Sequence, residues 1–232
     1  DILSYFLYFL SIRMPEIVLV HTSYEIKLYS EVFRLKKKNR INFLHYFSYN
    51  DNNELLSKNI DIVINDYVIC AGNHRDINTF VSAVNKIDNL YGIVIGSEAD
   101  RIKWENSEFN DIKFYFNLPY VRYRKLISGA KASVISIKNS GPLRSLGLIS
   151  AFEAISLQVP IIASNTFHLK DYFSNNEISF YTPDDSNSLA EKIEEISSNN
   201  NFYKMKAYSA LKKMNCCYNK KVFLQKLYKL CI

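Results

Sequence analysis

Short apolar runs alternate with helical patterns along most of this chain, and that alternation restricts its fold more than any other feature. The runs IVLVH, YVICA, GIVIG, ASVIS and VPIIA consist largely of β-branched and small residues. Such runs are typical of strands that are buried on both faces of a parallel sheet. Segments such as INTFVSAVNKI and GLISAFEAISLQ lie between them, with apolar residues three and four positions apart. We therefore expect an α/β fold built on a doubly wound parallel sheet.

The pattern divides the chain into two parts. Residues 1–50 contain one β-α-β unit, made of IVLVH, the helical pattern YEIKLYSEVFRLKKK and INFLHYF, and the apolar start ILSYFLYFLSI predicts the end of a buried helix. The start is too short to span a bilayer and has no basic residues before it. Residues 51–61 have the polar composition of a linker. Residues 62–232 contain the second strand–helix series and end in a basic segment that we expect to be helical.

The positive charge is concentrated at the C-terminal end. The chain has a formal net charge of +6, yet residues 202–232 contain eight lysines and no acid, so the rest of the chain sums to about −2. A simply solvated helix face and a surface for anionic lipid or another polyanion both remain open. No base-reading motif accompanies the lysines, so we do not expect nucleic-acid binding.

Cysteine usage indicates a reducing compartment. Cys70, Cys216, Cys217 and Cys231 have spacings that fit no metal site, and adjacent cysteines rarely bridge to each other. We therefore expect a cytoplasmic protein without a bound metal.

Ligands of doubly wound sheets bind beyond the carboxyl ends of the strands, so the loops there are the candidate sites. The first is AGNHRDINTF, in which Gly72 permits a close backbone approach and Arg75 is a forked donor suited to phosphate. Asp76 is placed to cap the following helix. A phosphate-binding loop and a plain capped turn fit this stretch equally well.

Two further loops have permissive backbone. IGSEAD begins with Gly96 at a strand end, which is weak evidence by itself. IKNSGPLRSLG is rich in Gly, Ser and Asn, contains Lys138 and Arg144, and leads into a helix. The amino end of a helix binds anions readily, while Ser145 is also a good N-cap. Both roles can hold together.

Glu153 is the one acid within SLGLISAFEAISLQVPIIAS, and nothing nearby in the sequence neutralises it. It lies two helical turns after Ser145, on the same face. Such a carboxylate either faces solvent or binds a ligand. A ribose diol is a suitable ligand, because a carboxylate can accept two hydrogen bonds from it.

The same stretch resembles the signature of group 1 (family 4) glycosyltransferases of GT-B fold, which has an acid or Ser, a Gly, then Glu-Ala, and finally Gly-x-Pro before an apolar strand. Further segments match in the same order. YVICAGNHRDINTFVSAV is similar to the first strand, loop and helix of the C-terminal domain of these enzymes. LYGIVIG, YVRYRKLISGAKASVISIK and NEISFYTPDDSNSLAEKIEEISSN resemble later passages of that domain. Residues 1–50 then resemble the end of the N-terminal Rossmann-like domain, whose acceptor-binding portion would be absent from this chain.

The resemblance implies roles for individual residues. Glu153 would bind the ribose of a nucleotide sugar, so that its partner is a ligand and not a side chain. The turn at residues 140–147 and the helix start would hold the diphosphate and the donor sugar, and the first loop would add phosphate contacts. The residues that would bind the nucleotide sugar are Gly72, Asn73, Arg75, Gly96, Lys138, Arg144, Ser145, Gly147, Leu148 and Glu153.

The sequence departs from the family pattern at three places. Ser145 stands where many members have the first Glu of a Glu-x7-Glu pair, which puts the usual donor contact in doubt. Gln158 replaces the usual Gly before the Pro, and the usual Arg and Lys of the first loop are not both present, so that Arg75 would substitute for one of them.

The function that the resemblance implies is transfer of a sugar from a nucleotide-sugar donor to a glycan or lipid-linked acceptor, in surface polysaccharide or glycoconjugate synthesis. The reaction would be retaining and metal-independent and would need no cofactor. The enzyme would be cytoplasmic or bound to the inner face of the membrane through its lysine-rich segment. Two alternatives stay open, namely a nucleotide-sugar epimerase and a truncated or degenerate domain that binds a nucleotide or a partner without activity.

Overall fold

The structure is a computed structural model that describes residues 16–32, 41–47, 66–106, 109, 111–139 and 146–231, without the side chains of Phe167 and His168. The predicted helix in residues 1–11, the predicted linker at 51–61 and the candidate site residues Arg144 and Ser145 lie outside the described residues.

Strands and helices alternate as the sequence predicts. The strands are β1 (Val18–Val20), β2 (Ile41–Phe43), β3 (Tyr67–Ala71), β4 (Tyr91–Gly96), β5 (Ile112–Phe116), β6 (Ala132–Ile135), β7 (Ile161–Ser164) and β8 (Ser179–Tyr181). The helices are α1 (Ser23–Val32), α2 (Ile77–Val84), α3 (Glu98–Trp104), α4 (Tyr120–Ser128), α5 (Leu148–Ser156), α6 (Phe167–Lys170), α7 (Ser186–Ser198), α8 (Asn200–Cys217) and α9 (Lys220–Cys231).

Six strands form one parallel sheet in the order β5-β4-β3-β6-β7-β8. The strand order reverses between β3 and β6, which is the topological switch point at which open α/β sheets bind ligands. All residues of β3, β6 and β7 are buried, as expected for strands covered by helices on both faces. The predicted doubly wound parallel sheet is therefore confirmed, and the switch point places the loops after β3 and β6 side by side.

One helix was not predicted. The stretch between β4 and α4 reads as a loop with a single short strand, but it contains α3 as well as β5. None of the residues of α3 is buried, so the helix has no apolar periodicity that a sequence pattern could reveal. Its signal is a capping box, in which the Asp100 carboxylate accepts hydrogen bonds from the backbone N–H (2.9 Å) and the hydroxyl (2.8 Å) of Ser97.

The N-terminal unit is the predicted β-α-β, with β1 and β2 parallel in a sheet of their own. Hydrogen bonds of two tyrosines connect this unit to the part of the protein that contains the six-stranded sheet. The Tyr172 hydroxyl donates to the carbonyl of His21 (2.7 Å) and accepts from the N–H of Tyr46 (2.8 Å). The Tyr218 hydroxyl in turn donates to the carbonyl of Tyr172 (2.9 Å).

Gln158, which stands where the family usually has Gly, does not change the backbone conformation of the turn before β7. Gln158 has a φ of 56°, in the left-handed region that Gly adopts most easily. Its side chain is exposed. The turn before β7 therefore keeps the backbone shape expected of Gly at this position, at some cost in strain.

Candidate functional site

The loops after β3, β4 and β6 meet at the carboxyl edge of the sheet. The N–H of Gly72 donates to the carbonyl of Ile95 (2.9 Å), and the N–H of Asp76 donates to the carbonyl of Ser136 (2.9 Å). These two bonds fix the first loop to the ends of both neighbouring strands. The first predicted loop is thus joined to the chain at the ends of β4 and β6, where the other two predicted loops begin.

Arg75 folds back over its own loop. Its Nε donates to the carbonyl of Ala71 (3.1 Å), Nη1 to that of Asn73 (3.1 Å), and Nη2 to Oγ of Ser150 on α5 (2.8 Å). Gly72 makes room for it, because a Cβ at this position would lie 2.5 Å from Nη2 and the φ is +118°. Guanidinium has five N–H donors, so two remain for a phosphate. Of the three that are used, one ties the loop to α5 and two stay within the loop segment itself.

Asp76 caps α2 as predicted. Its carboxylate accepts from the backbone N–H of Thr79 (3.3 Å) and from the Thr79 hydroxyl (2.6 Å). The side chain is 3% exposed, so it belongs to the scaffold of the first loop. Asn73, by contrast, is exposed at the tip of that loop.

The helix that carries Glu153 begins later than the N-cap prediction at Ser145. Gly147 is the N-cap, with a φ of 86°, and Leu148 is the first helical residue. A Cβ at Gly147 would lie 2.5 Å from Cγ2 of Ile135, so both the left-handed backbone and the lack of a side chain are needed there. The Ser145 N-cap prediction is therefore wrong: the tight turn onto the sheet places the cap at a glycine.

The other predicted residues around this helix differ in accessibility. Leu148 is only 2% exposed because its side chain packs into the core, so only its backbone can contact a ligand. Lys138 is exposed beside the loop after β6, and Gly96 is partly exposed at the end of β4. The neighbouring Asn139 donates its N–H to a carboxylate oxygen of Asp184 (3.3 Å), which ties this loop to the one after β8.

Glu153 has a side-chain partner that lies far from it in the sequence. Its Oε1 is 2.6 Å from Nε of Arg124, and the two side chains are 17% and 6% exposed. The Tyr120 hydroxyl lies 3.2 Å from Oε1 and 3.1 Å from Oε2. The expectation that a ligand and not a side chain neutralises Glu153 is therefore wrong, because α4 supplies a buried cation next to α5.

The carboxylate nevertheless retains acceptor capacity. A carboxylate has about four lone-pair sites, and Arg124 with the single Tyr120 proton occupy only part of them. Burial and the neighbouring Glu153 raise the pKa of Tyr120, so this hydroxyl stays protonated and donates at neutral pH. The Tyr120 side chain is itself 54% exposed, so the pair opens toward solvent on one side.

Two successive contacts join α4 and α5. Ser150 and Glu153 are three positions apart on one face of α5. Ser150 forms a hydrogen bond with Tyr123 of α4. Glu153 contacts Tyr120 and Arg124 of the same helix. Sequence reasoning missed Tyr120 and Arg124, although their i, i+4 spacing in YVRYRK puts both on one helical face. An arginine on the inward face of a helix beside a lone acid was the available signal.

Among the described residues, no group of three or more His, Cys, Asp or Glu side chains is arranged to hold a metal ion. A search of the same residues finds no helix with the length and apolar character to cross a membrane.

Comparison with known proteins identifies the family of this chain. The family model described as "Glycosyl transferases group 1" matches residues 67–213, which is more than half of the chain. A search of curated proteins finds no match.

Three solved structures have the same fold. A glycosyltransferase from Rickettsia africae matches with a TM-score of 0.75 and 12% identity, over 93% of this chain and 62% of that one. Sucrose-phosphate synthase from Thermosynechococcus elongatus matches with a TM-score of 0.72 and 19% identity, over 93% of this chain and 58% of that one. HepE from Anabaena in complex with UDP-glucose matches with a TM-score of 0.77 and 13% identity, over 96% of this chain and 65% of that one. The chain thus spans about three fifths of the length of these proteins. The matched family model confirms the resemblance read from the sequence, and the chain belongs to the group 1 glycosyltransferases.

Proposed function

We propose that the carboxyl edge of the larger sheet binds a nucleoside diphosphate sugar and that the complete enzyme transfers this sugar to a glycan or lipid-linked acceptor. The observation that carries the proposal is the position of Glu153, a largely buried carboxylate at the switch point of the sheet, preset by Arg124 and Tyr120 and still able to accept hydrogen bonds. A ribose diol offers two donors to such an acceptor.

The diphosphate is assigned to the start of α5. The free N–H groups of the first turn and the helix dipole favour an anion there. Gly147 caps this helix without a side chain that could obstruct an anion, and Lys138 is exposed on the segment after β6. Arg75 is bonded to Ser150 in the first turn of α5 and has two N–H donors to spare, so a phosphate contact is assigned to it as well, with Asn73 exposed at the tip of the first loop.

Catalysis in this arrangement depends on positioning the donor and stabilising the negative charge on the departing diphosphate. The amino end of α5 and the cationic groups around it supply that stabilisation, which supports a metal-independent reaction without a cofactor. Retention of anomeric configuration and a surface polysaccharide or glycoconjugate product are proposed from the family resemblance. The Anabaena protein holds UDP-glucose, so we take a UDP-sugar as the first donor to test.

Isothermal titration calorimetry with UDP, GDP and their sugars tests the proposal. We expect one of the diphosphates to bind and Glu153→Gln to weaken that binding by at least tenfold, because hydrogen bonds to a charged group contribute roughly 1.5–3 kcal/mol each. The matched control is Glu191→Gln, which removes an exposed acid from α7.

Four results would count against the proposal or redirect it. Failure of every nucleotide to bind, or equal binding by Glu153→Gln, removes the site assignment. Tight nucleotide binding by the complete protein without transfer to any acceptor favours a binding module, and conversion of the donor sugar without an acceptor favours an epimerase.

A further inference from the structure

The structure divides the eight lysines of residues 202–232 into two kinds. Nζ of Lys206 lies 2.8 Å from Oγ of Ser179, and Nζ of Lys213 lies 3.4 Å from Oε2 of Glu177, so these two side chains hold α8 against the larger part of the protein. The side chains that remain exposed are Lys204, Lys212, Lys220, Lys221, Lys226 and Lys229.

The outward face of α8 combines some of these charges with apolar side chains. The inward face is buried through Tyr203, Ala207, Ala210 and Met214. On the outward face, Met205 is 72% exposed and Tyr208 is 63% exposed. Lys204, Met205, Tyr208 and Lys212 line a groove of about 660 Å³ together with Asn201 and Ser209.

We propose that this outward face of α8, from Lys204 to Lys212, docks on an anionic lipid bilayer. Met205 and Tyr208 lie one turn apart between the two lysines, so they can enter the interface while the ammonium groups remain among the headgroups. Tyr suits the boundary between apolar and polar layers, since its ring is apolar and its hydroxyl is polar.

The charges of the segment select the lipid. Residues 202–232 contain no acid, so nothing within α8 or α9 offsets the exposed lysines. Each Lys near an anionic membrane contributes favourably, so Lys204 and Lys212 favour an anionic lipid over a neutral one. The exposed glutamates of α7, Glu191 and Glu194, lie around the start of α8 beside Phe202 and limit the surface on that side.

Vesicle co-sedimentation tests the proposal on the chain as it stands. We expect binding to vesicles of phosphatidylcholine and phosphatidylglycerol in equal parts, and little binding to phosphatidylcholine alone. Lys204→Gln/Lys212→Gln should weaken binding to the anionic vesicles by roughly 30-fold, at about fivefold per lysine. Met205→Gln/Tyr208→Gln should weaken it by roughly tenfold through lost apolar burial.

The control is Lys27→Gln/Lys113→Gln, which removes the same charge from exposed positions on α1 and β5. It should bind as the unaltered protein does. Equal binding to both kinds of vesicle, or no difference between the α8 variants and this control, overturns the proposal. Binding to heparin or RNA in the absence of any vesicle binding also overturns it, in favour of another polyanion.

Discussion

The ion pair between Arg124 and Glu153 gives the sharpest test of the site, because it separates the role of the pair in stability from the role of Glu153 in binding. We consider Arg124→Met, Glu153→Met and the double variant. Breaking a fully buried pair by removing one partner costs about 3–5 kcal/mol, and an exposed pair contributes about 0–1 kcal/mol. The side chains here are 6% and 17% exposed, and Tyr120 still donates to Glu153.

We therefore expect each single variant to lower the free energy of unfolding by about 2–3 kcal/mol, since each leaves one largely buried charge without its partner. For a chain of this length that corresponds to a fall in Tm of roughly 4–12 °C. The double variant replaces both charges by apolar groups and should lie within about 1 kcal/mol of the unaltered protein. The coupling energy between the two positions would then be about 3–6 kcal/mol.

Urea unfolding followed by far-UV circular dichroism measures all four proteins, and calorimetry with the diphosphate measures binding by those that fold. A coupling energy below about 0.5 kcal/mol would refute the ion pair, because effects at independent positions add to within that error. Nucleotide binding by the folded double variant at unchanged affinity would refute the ribose-binding role of Glu153 and leave the pair a purely structural contact.

Two further predictions concern the helix start and pH. Gly147→Ala should destabilise the protein by roughly 2–4 kcal/mol in urea unfolding, because it adds a left-handed alanine and places a Cβ 2.5 Å from Ile135. An unchanged midpoint of urea unfolding would contradict the observed turn. Burial, and then the nearby charge of Lys226, lower the pKa of His45 to about 4, so the unfolded chain binds a proton more tightly than the folded one. Stability should be retained above pH 6.5 and fall by about 2 kcal/mol between pH 7 and pH 5; His45→Asn should flatten that slope, and an identical slope in the variant would show that another group is responsible.

The parallel sheet could be predicted from the sequence because each buried strand is marked by a short apolar run of its own. Runs such as GIVIG and VPIIA identify buried strands by themselves, and their alternation with helices indicates parallel pairing. The capping role of Asp76 was also readable, since it involves only the next helical turn. Helix α3 was not found, because it buries no residue and its capping box was its only mark.

The site itself depends on contacts that no local pattern contains. Arg124 reaches Glu153 only because α4 and α5 lie side by side, and Arg75 reaches Ser150 only because the β3 loop lies against α5. Sequence spacing predicted that the candidate loops start at one edge of the sheet, and the parallel strands do end there. It could not show which cationic groups are already occupied by protein acceptors.

Tyr172 restricts the movement of the two sheets relative to each other. One phenolic oxygen is bonded to the chain after β1 and to the chain after β2, while the carbonyl of the same residue is held by Tyr218. Burial raises the pKa of Tyr172 well above its ordinary value, so the oxygen keeps the proton it needs to donate and accept at once. The smaller sheet cannot move away from the larger one without breaking both of these bonds, together with those from Ser23 to Asp171 and from His45 to the carbonyl of Cys217.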